Sequence, residues 1–191
     1  MADGNQADVT AAATLWRDVA IVVTLYVAAA IPAVVKGQAF ALDWLISVPL
    51  GGVLATLSII DLRRFILPDA LTLPLILAGL AASWWLGWDN AALRALAAVL
   101  GFLILVLTAR IYRQLRGHEG LGLGDAKLLA AAGAWLGLEA LPQVLLTACL
   151  LALAGVAALM AAGRKMTMKT AIPFGPFLAF ATWLVWLYGS F

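Results

Sequence analysis

Two aspartates stand at the ends of long apolar stretches. Asp61 closes a stretch that begins near Leu42 and lies within Asp61-Leu62-Arg63-Arg64-Phe65-Ile66-Leu67-Pro68-Asp69. Asp125 opens another, within Gly117-His118-Glu119-Gly120-Leu121-Gly122-Leu123-Gly124-Asp125-Ala126-Lys127, ahead of an apolar run that reaches Leu138. A carboxylate at the centre of a membrane helix costs roughly 2.5–3.5 kcal/mol, so an acid kept at such a boundary points to function. Two carboxyls a few ångströms apart cannot both ionise and come to share a proton. The ionised member can take a proton from water while the other donates one to a peptide carbonyl, which is the chemistry of an aspartic protease. The titration of such a pair belongs to both groups, so neither residue is assigned as base or acid.

The neighbours of each aspartate allow more than one reading. Gly120, Gly122 and Gly124 suit close approach of backbone or substrate, and let the chain unwind just before Asp125. Irregular backbone at membrane depth is tolerated only where protein or water surrounds it. The competing reading is a small-residue helix contact through Gly120 and Gly124. Asp61, taken alone, equally suits a helix-end charge beside Arg63 and Arg64. Asp69 follows Pro68 and precedes an apolar run, so it is expected to cap a helix, with a supporting role near the site left open. Lys127 lies two residues past Asp125 and does not share its helical face. It is expected either to snorkel to the headgroups or to tune the aspartates. Ile172-Pro173-Phe174-Gly175-Pro176 opens the last apolar segment. Its prolines leave local backbone groups free for an extended peptide, or simply start a helix. Gly122, Gly124, Lys127, Asp69, Pro173, Gly175 and Pro176 are therefore the residues expected to bind substrate or shape the site. His118 and Glu119 read as a solvated loop pair. A single histidine and a single cysteine, Cys149, make neither a metal site nor an intrachain disulfide, and no cofactor is expected. Cys149 reads as a small buried hydrophobe.

The elements that must position these residues are membrane helices. Of 191 residues, 65% are hydrophobic and 12% charged, against about 25% charged in a soluble domain. Mean hydropathy is +1.04. The pattern predicts an all-α, polytopic transmembrane bundle with about seven segments, near 18–35, 42–60, 70–88, 91–109, 123–138, 140–162 and 172–190. Residues 1–16 are expected to be a disordered cytoplasmic lead-in, and 17–191 a single transmembrane domain. With the N-terminus in the cytoplasm, Arg17, Arg63, Arg64, Arg110, Arg113, Arg116, Arg164, Lys165 and Lys169 all fall inside, and only Lys36 and Arg94 outside. Trp84, Trp85 and Trp88, and then Trp183, Trp186 and Tyr188, mark the outer interface. Segment two then delivers Asp61, and segment five carries Asp125, to the same side at the same depth. A net charge of +2 gives no reason to expect nucleic acid.

These stretches together resemble the type IV prepilin peptidases, aspartic proteases of the GxGD class. Three segments carry the resemblance: Ile60-Asp61 through Leu67-Pro68-Asp69-Ala70-Leu71-Thr72-Leu73-Pro74, Glu119 through Leu129, and Ile172 through Pro176. The resemblance implies that Asp61 and Asp125 are the catalytic pair. It also implies a multi-pass protein of the bacterial inner membrane whose site faces the cytoplasm. There it would remove the basic leader of prepilins or pseudopilins, serving type IV pilus assembly or protein secretion. Bifunctional members carry paired Cys-x-x-Cys motifs in a domain associated with N-methylation, which this sequence does not contain, so a peptidase without methyltransferase activity is expected. Short relatives that process Flp-type prepilins, and archaeal preflagellin peptidases, share the aspartate pattern and keep the substrate open. Membrane lipid is the other expected partner, and a homo-oligomer is compatible with the pattern. Two alternatives are a small proton-coupled transporter and a non-catalytic pilus or secretion scaffold. A transporter would place acids along the depth of the bundle, whereas these acids gather at its surfaces.

Overall fold

The computed structural model describes residues 3–35, 41–87, 91–116, 122–163 and 172–189. They form helices only: α1 (Asp3–Val35), α2 (Ala41–Arg64), α3 (Asp69–Leu86), α4 (Ala91–Arg116), α5 (Leu123–Leu136), α6 (Leu141–Ala161) and α7 (Gly175–Tyr188). Five of them, α1 to α4 and α6, are long and apolar enough to cross a membrane. Their outward faces are apolar as well, with Leu77, Leu146, Leu150 and Leu153 exposed, as suits helices solvated by lipid. The all-helical, polytopic expectation holds.

The bundle is built around α5, whose 14 residues give a rod of about 21 Å. From Asp125 to Leu136 every residue of this helix but Lys127 is buried. Alanines and a glycine make that possible, because small side chains let helix backbones approach closely in a membrane. At Gly133 an added Cβ would stand 2.6 Å from the Ala97 carbonyl oxygen of α4. The Trp135 indole N–H closes the opposite flank, donating to the Leu75 carbonyl of α3 at 2.8 Å. Helices α3, α4 and α5 thus form one packed group, and α1, α2, α6 and α7 a second. The contact of α5 with α7 is the main join between the groups.

Several expectations are corrected by this packing. Helix α1 begins at Asp3, inside the stretch expected to be a disordered lead-in. Residues 5–31 contain no Gly or Pro and include Ala11-Ala12-Ala13, a composition that favours helix. Arg94, expected beyond the membrane, is buried and donates to the Trp135 carbonyl. A cation there answers the free carbonyls and negative end of α5. Trp183 is buried and donates to the Tyr26 carbonyl at 3.1 Å, while Trp186 donates to Ser47 Oγ at 2.8 Å. Tyr188 donates to the Ala29 carbonyl. These three join α7 to α1 and α2; Trp183 is drawn inside the protein, whereas Tyr188 stays exposed at the end of α7. Trp84 and Trp85 do project outward. Cys149 is exposed on α6 rather than buried, beside the exposed Leu146, Leu150 and Leu153. Lys36, Trp88, His118, Glu119, Gly120, Arg164, Lys165 and Lys169 lie outside the described residues.

Candidate active site

Helix α2 ends where Asp61 begins the site. Its chain reverses at Phe65, which takes a left-handed conformation with φ 54°. The Phe65 amide donates to the Asp61 carbonyl at 2.9 Å, which is the single-bond form of a left-handed helix cap. A bulky residue pays no such conformation lightly: the left-handed region costs an L-residue roughly 1–2 kcal/mol. Phe65 and Ile66 are exposed, Leu67 is buried, and Pro68 is the extended N-cap of α3. Residues 65–68 are therefore a short strap that drops one side chain, Leu67, into the bundle.

Leu67 sits against two glycines of the site, Gly124 and Gly175. A Cβ on Gly124 would meet Leu67 Cβ at 2.8 Å, and one on Gly175 would meet Leu67 Cδ1 at 3.2 Å. The strap thereby touches the first turns of α5 and α7. Helix α5 starts at Leu123 behind an extended Gly122, with φ −79° and ψ 150°. Asp125 follows in its first turn, and its carboxyl is hydrogen-bonded by the Gly122 backbone. Asp61 accepts from the Gly175 amide, Oδ2 to N 3.1 Å. Both aspartates are buried, 5% and 8% exposed, and Asp125 lies within electrostatic reach of Asp61. Two acids from separate helices, far apart in sequence, are gathered at one end of the bundle.

The other expected site residues divide. Gly122 and Gly175 meet the carboxyls through their backbones, and Gly124, next to Asp125 in the chain, packs against Leu67. Pro176 falls in the first turn of α7, as the helix-start reading has it, and Pro173 precedes that helix. Asp69 is not the cap of α3. Pro68 occupies that position, its carbonyl accepting the Leu71 and Thr72 amides, and no side chain caps the helix. Asp69 instead pairs with Lys127, Nζ to Oδ1 2.5 Å. Lys127 thus has a carboxylate partner at the start of α3. It points away from the Asp125 face, as a two-residue offset requires, and ties α5 to the strap's far end. Leu67 was not among the expected residues. Its sequence signal is weak: it is the last of three apolar residues before Pro68 in the short connection between Arg64 and Asp69. Among the described residues no group of three or more His, Cys, Asp or Glu gathers.

The fold and the site together define a polytopic helical bundle with two buried carboxyls gathered at one end. The chain belongs to the type IV leader peptidase family, which it matches over residues 49–157, a span that includes both aspartates. It is similar to the prepilin leader peptidase/N-methyltransferase of Burkholderia pseudomallei (strain K96243), 48% identical over 128 residues, covering 66% of this chain and 40% of that one. The protein of the same name from Aeromonas hydrophila is 42% identical over 139 residues, covering 72% and 47%. That from Xanthomonas campestris pv. campestris is 44% identical over 142 residues, with the same shares. The chain spans less than half the length of these relatives. No solved structure matches it.

Proposed function

We propose that this chain is a membrane-embedded aspartic endopeptidase that removes the leader peptide of prepilins or pseudopilins. The observation that carries the reading is the meeting of Asp61 and Asp125, buried, from two helices, at one end of a lipid-solvated bundle. Family membership and relatives named prepilin leader peptidase support the substrate class. In the reaction one carboxylate takes a proton from water as the water attacks the scissile carbonyl. The other, protonated, donates to that carbonyl oxygen, giving a gem-diol. The first then passes the proton it took from water to the amine nitrogen, and the second regains a proton from a gem-diol hydroxyl as the C–N bond breaks and the acid and amine products leave. The strap at 65–68 and the first turns of α5 and α7 hold the two acids for this step.

The distribution of Arg and Lys supports a cytoplasmic N-terminus and a site at the inner leaflet of the bacterial inner membrane. A substrate that is itself inserted through an apolar helix would present its leader junction at that depth. The test is co-expression with a candidate prepilin and mass measurement of the substrate's N-terminus. Loss of the leader supports the reading. An intact precursor, with the enzyme present and inserted, refutes it.

A further inference from the structure

The first turn of α7 has one backbone donor to give away. Pro176 has no N–H, and the amides of Phe177 and Leu178 both reach the Phe174 carbonyl at 3.1 Å. The Gly175 N–H remains, and it donates to Asp61 Oδ2. Phe174, the N-cap, supplies no side-chain hydrogen bond of its own. Asp61 therefore does from α2 what a capping aspartate ordinarily does from within the same chain segment, at the positive end of a 14-residue helix. The space is matched to that bond. A Cβ on residue 175 would stand 2.6 Å from Asp61 Oδ2 and 2.9 Å from its Cγ. Any side chain here displaces the carboxyl itself.

We infer that Gly175 is a positioning residue: its amide and its missing side chain together hold the Asp61 carboxyl in the orientation it keeps beside Asp125. The inference assigns a function to the Pro-Phe-Gly-Pro start of α7, outside the span matched by the family, and it rests on the peptidase reading for its kinetic consequence. Gly175→Ala should lower kcat for leader cleavage by at least ~10-fold, as expected when a catalytic group is displaced by a fraction of an ångström. KM and the thermal midpoint should stay near those of the parent protein. Leu67→Ala added to Gly175→Ala should not restore kcat, because the closest conflict is with Asp61 and not with Leu67. A parental kcat in Gly175→Ala, or recovery through Leu67→Ala, overturns the inference. A second readout needs no cleavage and no Gly175 variant in the folded state. In glycine-15N-labelled protein in detergent micelles, the Gly175 amide resonance should move more on Asp61→Ala than on Asp125→Ala. An equal or smaller movement on Asp61→Ala overturns the inference even if the parent protein cleaves no prepilin, an outcome that by itself refutes only the peptidase reading.

Discussion

Gly124→Ala puts the packing of the site to a quantitative test. The new methyl would lie 2.8 Å from Leu67 Cβ, 3.3 Å from its Cδ1 and 3.4 Å from its Cγ. Carbon atoms in contact settle at ~3.5–4.0 Å, so the shortfall at Cβ is about 1 Å. Both atoms are fixed to backbone, and no rotamer of Leu67 relieves the conflict. Either the strap at 65–68 or the first turn of α5 must move. Overpacking of this kind costs roughly 1–3 kcal/mol, part of which the better helix propensity of alanine offsets, by up to about 1 kcal/mol. The loss of stability should therefore be small. The loss of activity should not be, because Asp125 is the next residue and a 1 Å misplacement at a catalytic group can cost ~100-fold. Leader cleavage by purified protein in nanodiscs, read alongside its thermal midpoint, separates the two effects. Gly52→Ala is the control, since no atom lies within 4 Å of the added methyl. Parental cleavage in Gly124→Ala, or an equal loss in Gly52→Ala, refutes the reasoning.

Gly133→Ala should destabilise the bundle by about 1–3 kcal/mol, because its methyl would meet the Ala97 carbonyl at 2.6 Å; an unchanged thermal midpoint would show that α4 and α5 are not in that contact. Ser58 already donates to the Leu54 carbonyl, so the Tyr26 hydroxyl is the donor in their 3.1 Å bond. Tyr26→Phe should then cost about 1 kcal/mol, because Ser58 keeps a partner for its own proton. A loss several times larger in a denaturation series would contradict that assignment. Lys127 and Asp69 form a pair whose side chains are 26% and 58% exposed, so a double-mutant cycle with Lys127→Met and Asp69→Asn should give a coupling of roughly 0.2–1 kcal/mol. A coupling near zero would mean that the pair does not form in lipid.

The apolar segmentation was enough to place all seven helices, with most ends within a few residues, because each long run is set by the thickness of hydrocarbon. The parity of spans between Asp61 and Asp125 was enough to bring them to one end of the bundle. What sequence could not supply was the use of each polar atom at close quarters. Asp69 reads as a cap because it follows a proline, yet Lys127, 58 residues later, claims its carboxylate. Trp183 and Trp186 read as interface anchors because tryptophan favours interfaces, yet Tyr26 and Ser47 accept their N–H groups. Arg94 reads as an outer-loop charge, yet it answers the open carbonyl end of α5. Each is a contact between distant segments, and no periodicity encodes it. Leu67 was missed for the same reason. Its importance lies in the two glycines that make room for it, one on α5 and one on α7.

In the proposed reaction, leader cleavage requires both carboxyls to activate water together. Asp61→Asn and Asp125→Asn preserve size and hydrogen-bonding shape while removing the acid, so each variant should insert, keep its thermal midpoint within a few degrees, and leave a co-expressed prepilin at its full precursor mass. A mature N-terminus produced at the parental rate by either variant would contradict the account.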